Sequence, residues 1–159
     1  MSEPLDAGLL VLDHRLLAHE PSHDASLSVL ELPLTADQRT VLRGRRQTAC
    51  GREVVLQLPR EQALTPGERL SDRDEHVHVL VTAASEALMR VEAATTLALL
   101  EAAYHLGNRH VALELHEDEL FLLQDSVLAT MLKGRGLAVT HCCRPFMPEG
   151  GAYLTHQHA

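Results

Sequence analysis

Four short apolar runs set off by polar residues open the chain, at residues 9–12, 27–32, 54–58 and 76–81. Rich in Leu and Val and too short for helices, they predict β-strands. Leu58-Pro59-Arg60 and Leu64-Thr65-Pro66-Gly67-Glu68 read as turns, because proline presets one dihedral and glycine frees the next. An all-β region over residues 1–75 follows.

Past the polar cluster Ser71-Asp72-Arg73-Asp74-Glu75 the period lengthens. Leu97, Leu100 and Tyr104, with Leu99, Ala103 and Leu106 alongside, recur at three and four and predict a helix over 94–106 that Gly107 stops. Residues 111–115 and 119–123 read as strands around the turn His116-Glu117-Asp118. Asp125 can cap a second helix with the apolar face Val127, Leu128, Met131 and Leu132, ended by Gly134 and Gly136. With residues 87–91 as first strand and 137–142 as last, the order is the ferredoxin-like β-α-β-β-α-β. The expected fold class is therefore α+β: an N-terminal all-β domain (1–75), a ferredoxin-like domain (76–148) and a tail (149–159), mobile as termini are unless tied down. Both helices of such a domain pack on one sheet face, leaving the other for water or another protein.

Composition narrows the class. With 45% apolar and 23% charged residues the chain is expected to be globular. Its 11 His outnumber 2 Tyr, 2 Phe and no Trp, so the core must be aliphatic. A net charge of -8 argues against non-specific nucleic-acid binding. Arginines 39, 43, 45, 46, 52 and 60 face only Glu53 in their stretch, which suits either an acidic partner or a solvated sheet face. No apolar run approaches the ~20 residues of a membrane span. The first residues are acidic where a signal peptide needs a basic flank, so a cytoplasmic protein is expected. Cys50 and the vicinal Cys142 and Cys143 argue against a disulfide framework.

The usual catalytic and phosphate-binding signatures are missing, which points away from an enzyme. Histidine remains. His76 and His78 would share a strand face and, with Glu75 or Glu86, could imitate a two-histidine, one-carboxylate iron site; an exposed polar face is the plainer reading. His14, His19 and His23 flank Pro21 and read as solvated loop residues. His105 lies near a helix C-terminus, where the dipole favours an imidazolium, and His110 begins a strand. His141 shares a face with Leu137 and Val139, which predicts packing. His156 and His158 sit on the tail, and imidazole suits nickel, copper and zinc alike.

Two stretches carry a resemblance. Ala103-Tyr104-His105-Leu106-Gly107-Asn108-Arg109-His110 and Arg144-Pro145-Phe146-Met147-Pro148-Glu149-Gly150-Gly151-Ala152-Tyr153 resemble signatures of the urease accessory protein E family of nickel metallochaperones. Leu34-Thr35-Ala36-Asp37-Gln38-Arg39 and Leu64-Thr65-Pro66-Gly67-Glu68-Arg69-Leu70 are similar to weaker patterns of the same family. The resemblance implies a β-rich N-terminal module similar to a chaperone peptide-binding domain, and a ferredoxin-like domain through which two chains dimerise. It implies nickel delivery to the urease apoprotein with other accessory proteins, a GTPase among them. His110 from each subunit would be the central ligand, and His156 and His158 would add to it; outside the resemblance, His105 and His141 are candidate secondary ligands. Only two tail histidines argue against nickel storage. A metal-independent adaptor using the Arg39–Arg60 stretch, and a metalloenzyme built on His76 and His78, are the alternatives.

Overall fold

The computed structural model describes residues 8–16 and 29–150. It divides into two compact units, residues 1–83 and 84–159. The division falls eight residues beyond the expected boundary at 75/76, because the strand His78–Ala83 pairs within the N-terminal unit.

In the first unit, β1 (Leu10–Leu12), β2 (His14–Leu16) and β3 (Val29–Leu34) are followed by a short helix, α1 (Ala36–Thr40). Next come β4 (Arg43–Gln47), β5 (Glu53–Gln57), β6 (Arg69–Ser71) and β7 (His78–Ala83). Helix α1 corrects the all-β expectation. The Thr35 side chain accepts from the Gln38 amide while the Gln38 side chain accepts from the Thr35 amide, a capping box that the apolar pattern alone does not show. The strands form a three-stranded sheet, β1-β5-β4, and a four-stranded sheet, β2-β6-β7-β3. Pairings β1–β5 and β3–β7 are parallel.

The core of this unit is a single cluster drawn from both sheets, including Leu12, Leu32, Val54, Leu56, Leu70, Val79 and Val81. All its buried members are Leu or Val, as the scarcity of aromatics requires. Burying one such side chain stabilises by ~1.5–3 kcal/mol.

The second unit runs β8 (Ser85–Glu92), α2 (Thr96–Asn108), β9 (Glu114–Leu115), β10 (Glu119–Leu123), α3 (Ser126–Gly134) and β11 (Ala138–Pro145). Its sheet order is β11-β8-β10-β9, antiparallel throughout, which is the ferredoxin-like arrangement. Met89, Val91, Leu120 and Leu122 meet Leu99, Ala102, Leu106, Ala129 and Leu132 of the helices in one core. Thr95 caps α2 through the Ala98 amide, and Asp125 caps α3 through the Val127 and Leu128 amides.

The helices are rotated relative to the face expected from sequence. Leu97, Leu100 and Tyr104 are 64%, 61% and 66% exposed, while Leu99, Ala102 and Leu106 are buried. Val127 of α3 is exposed too, and Ala129 takes its place inside. An apolar repeat reports two faces here, one for the core and one left outward.

Candidate metal centre

His110 lies just past α2. Its amide donates to the Gly107 carbonyl (2.9 Å), and the Val111 amide donates to the Leu106 carbonyl (3.2 Å). These two bonds form a Schellman motif, which requires a left-handed residue one place beyond the helix cap. That residue is His110, at φ 57°, where glycine is the ordinary choice. Val111 packs on the core beside Leu106 and completes the motif. Gly107, expected to stop the helix, lies inside it. The outcome is an exposed imidazole on a locally fixed backbone.

The other expected ligands are distributed unevenly. His105 is half-buried in the last turn of α2, its ring edge-on to Tyr104 at 5.4 Å between centroids. His141 pairs in register with Met89 on the helix-bearing face of the sheet, so the alternation argument holds, yet it is exposed and the expected packing is not found. His156 and His158 lie outside the described residues, as do His19 and His23. Among the described residues no group of three or more His, Cys, Asp or Glu side chains is placed to hold a metal ion. Among the described residues His110 is thus an exposed imidazole that belongs to no three-donor group.

The alternative sites lose their geometry. β7 begins at His78, which is buried, while His76 precedes the strand and has a largely exposed side chain near Asp72. The two rings therefore share no strand face, and the expected pairing is corrected. His14, expected in a loop, lies in β2 with its ring nitrogen 2.7 Å from Asp13. In the arginine stretch, buried Arg39 donates to the Leu34 carbonyl, Arg43 to that of Leu58, and Arg46 to those of Arg45 and Val41. Half of the six guanidiniums are thus engaged with main chain.

Sequence reasoning missed a network on the sheet face opposite the helices. Glu114, His116, Phe121 and Arg144 share that face by strand alternation. Glu114 is only 6% exposed, and its Oε1 accepts from Arg144 Nη2 and lies against His116 Nε2, both at 2.8 Å. Its Oε2 accepts from the Met147 amide at 2.9 Å. Arg144 also lies 4.1 Å above the Phe121 ring, and His116 meets that ring edge-on at 5.6 Å. Burial alone pushes the Glu114 carboxyl up; the Met147 amide, His116 and Arg144 together outweigh it and hold the group below its ordinary range. Glu114 and His116 standing two apart at a hairpin was the available signal.

The fold and this site define a class: a two-unit α+β chain whose ferredoxin-like unit presents a histidine at a helix end, ahead of a histidine-bearing C-terminus. Residues 12–84 match the model of the UreE urease accessory protein N-terminal domain, and residues 86–159 that of its C-terminal domain. The chain is 77% identical over 155 residues to the urease accessory protein UreE of Synechococcus sp. (strain CC9311), covering 98% of this chain and all of that protein. It is 63% identical to the UreE of Parasynechococcus marenigrum (strain WH8102), over 94% of this chain and 97% of the relative. The UreE of Thermosynechococcus vestitus is 51% identical over 80% and 88% of the two chains. This chain belongs to the urease accessory protein UreE family.

Proposed function

We propose that the protein carries nickel to the urease apoprotein during assembly of its metal centre, acting in the cytoplasm as a homodimer with other accessory proteins, a GTPase among them, and without catalytic turnover of its own. One observation carries the reading: His110 occupies a backbone position suited to glycine, at the end of a helix whose Leu97, Leu100 and Tyr104 form an outward apolar stripe. A second copy meeting that stripe across a two-fold axis that passes beside the C-terminal end of α2 would bring both His110 side chains toward one another. Two imidazoles make an open platform that His156 and His158 of the tails complete, with His105 and His141 as weaker secondary donors.

An incomplete, shared site suits delivery. A micromolar dissociation constant corresponds to about 8 kcal/mol, whereas a structural zinc site at about 10–16 kcal/mol gives up its metal slowly. Imidazole donors suit zinc and copper as well as nickel, so both are expected to bind in vitro and nickel loading to follow cellular supply.

Nickel titration with simultaneous mass determination tests the reading. The parent is expected to be a dimer with one tight site per dimer, and His110→Ala to lose that site with the fold intact. Unchanged stoichiometry and affinity in His110→Ala would overturn it.

A further inference from the structure

The proposed function needs tail histidines to meet His110, and the described residues contain a device that brings the root of the tail there. The C-terminal segment does not simply leave β11. Arg144 and the Met147 amide bind the Glu114 carboxylate, Phe146 is buried, and the Glu149 amide donates to the Leu113 carbonyl at 2.7 Å. Residues 113 and 114 lie only three and four places after His110. The C-terminal segment is thus moored, up to Glu149, to the segment that His110 begins. From Glu149 the seven residues to His156 reach at most about 24 Å, and the three residues from His110 to Leu113 span at most about 10 Å. The chain from Glu149 to His156 is therefore long enough to reach the His110 side chain.

We propose that Glu114 is a positioning residue, a buried carboxylate that holds the root of the C-terminal tail beside His110 and so raises the effective concentration of His156 and His158 at the metal. Binding by a tethered ligand depends on where its tether begins, without any new contact to the metal. Glu114 suits this task because one side chain gathers three donors from the two segments that must stay together: Arg144 and Met147 of the C-terminal segment, and His116 of the hairpin. Phe121 supports the same arrangement beneath Arg144. This proposal rests on the nickel-binding reading above.

A cycle of full-length and tail-shortened proteins tests it, using nickel as the probe. Glu114→Gln keeps the shape and removes the charge; His116→Ala removes a partner that is partly exposed and serves as the variant if Glu114→Gln does not fold. In the full chain each variant is expected to bind nickel less tightly, Glu114→Gln by about tenfold. With residues 151–159 removed, the same substitution is expected to change nothing further. Amide exchange at Met147 and Glu149 should rise in Glu114→Gln while α2 and α3 keep their protection. Equal losses with and without the tail, or faster exchange with unaltered nickel affinity, would overturn the positioning role. A parent without His110-dependent nickel binding would instead overturn the reading beneath it, which the His110→Ala arm identifies separately.

Discussion

Helices α2 and α3 end on the same hydrogen-bond pattern and differ at its one demanding position. Each closes with Leu at the start of the motif, Arg at the cap and an aliphatic residue after the turn: Leu106, Arg109 and Val111 in one, Leu132, Arg135 and Leu137 in the other. The caps are nearly superposable, with φ, ψ of -92°, 7° at Arg109 and -89°, 4° at Arg135. Between cap and aliphatic stands Gly136 at φ 83° in α3, and His110 at φ 57° in α2. A left-handed conformation costs an ordinary L-residue about 1–2 kcal/mol, and glycine far less. The chain uses the relaxed solution at α3 and the costlier one at α2, and on the proposed function it is the ring of His110 that accounts for the choice. Strain held at one of two equivalent positions is what the proposed ligand role of His110 would explain.

Substitutions at these two positions can break or sharpen that contrast. His110→Gly, which makes the α2 end like the α3 end, is expected to lower nickel affinity by about a hundredfold or more, equivalent to about 2.7 kcal/mol, by calorimetry. Retained affinity would sever the link between strain and ligation. Next in size is Gly136→Ala. No atom lies within 4 Å of an added methyl group, so the cost is purely backbone, about 1–2 kcal/mol in urea unfolding, with nickel binding unchanged. His110→Gly should also make the fold slightly more stable, by about 0.5 kcal/mol, since relief of strain is partly offset by the larger entropy of an unfolded glycine. A loss of stability would mean that the histidine ring packs where it is exposed here. The smallest effect concerns acid. Glu114 is held below its ordinary range in the folded chain, so its contribution is complete above the unfolded carboxylate value of about 4.3 and fades as pH falls through the lower folded value. Urea midpoints between pH 6 and 3 should therefore fall more steeply for the parent than for Glu114→Gln.

Much of this was legible in the chain because periodicity and punctuation agree in the second unit. The six elements from β8 to β11 fall in the expected order, and Asp125 and Gly136 do what a cap and a stop residue should. The failures have physical causes. Gly107 looked like the end of α2 because glycine is the usual left-handed residue, but the helix runs on to Asn108 and the left-handed position falls to His110. Leu97, Leu100 and Tyr104 satisfied the helical period while facing outward, because spacing identifies an apolar stripe and cannot say what covers it. His141 lay on the expected face of β11 and was still exposed, since alternation gives the face and not the depth. The Glu114 network joins residues thirty or more apart through sheet pairing, which no local pattern encodes. His110 itself emerged from resemblance, whereas its backbone strain needed coordinates.

The outward position of Tyr104 has a practical consequence. Residues 1–83 contain no Phe, Tyr or Trp, and the whole chain has no Trp, so aromatic absorbance and near-ultraviolet dichroism report on the second unit alone. One of its two tyrosines stands on the α2 stripe and the other, Tyr153, belongs to the C-terminal segment that leads to His156. Tyrosine emission is therefore a label-free optical reporter: Tyr153→Phe isolates the stripe signal, and Tyr104→Phe isolates that of the tail.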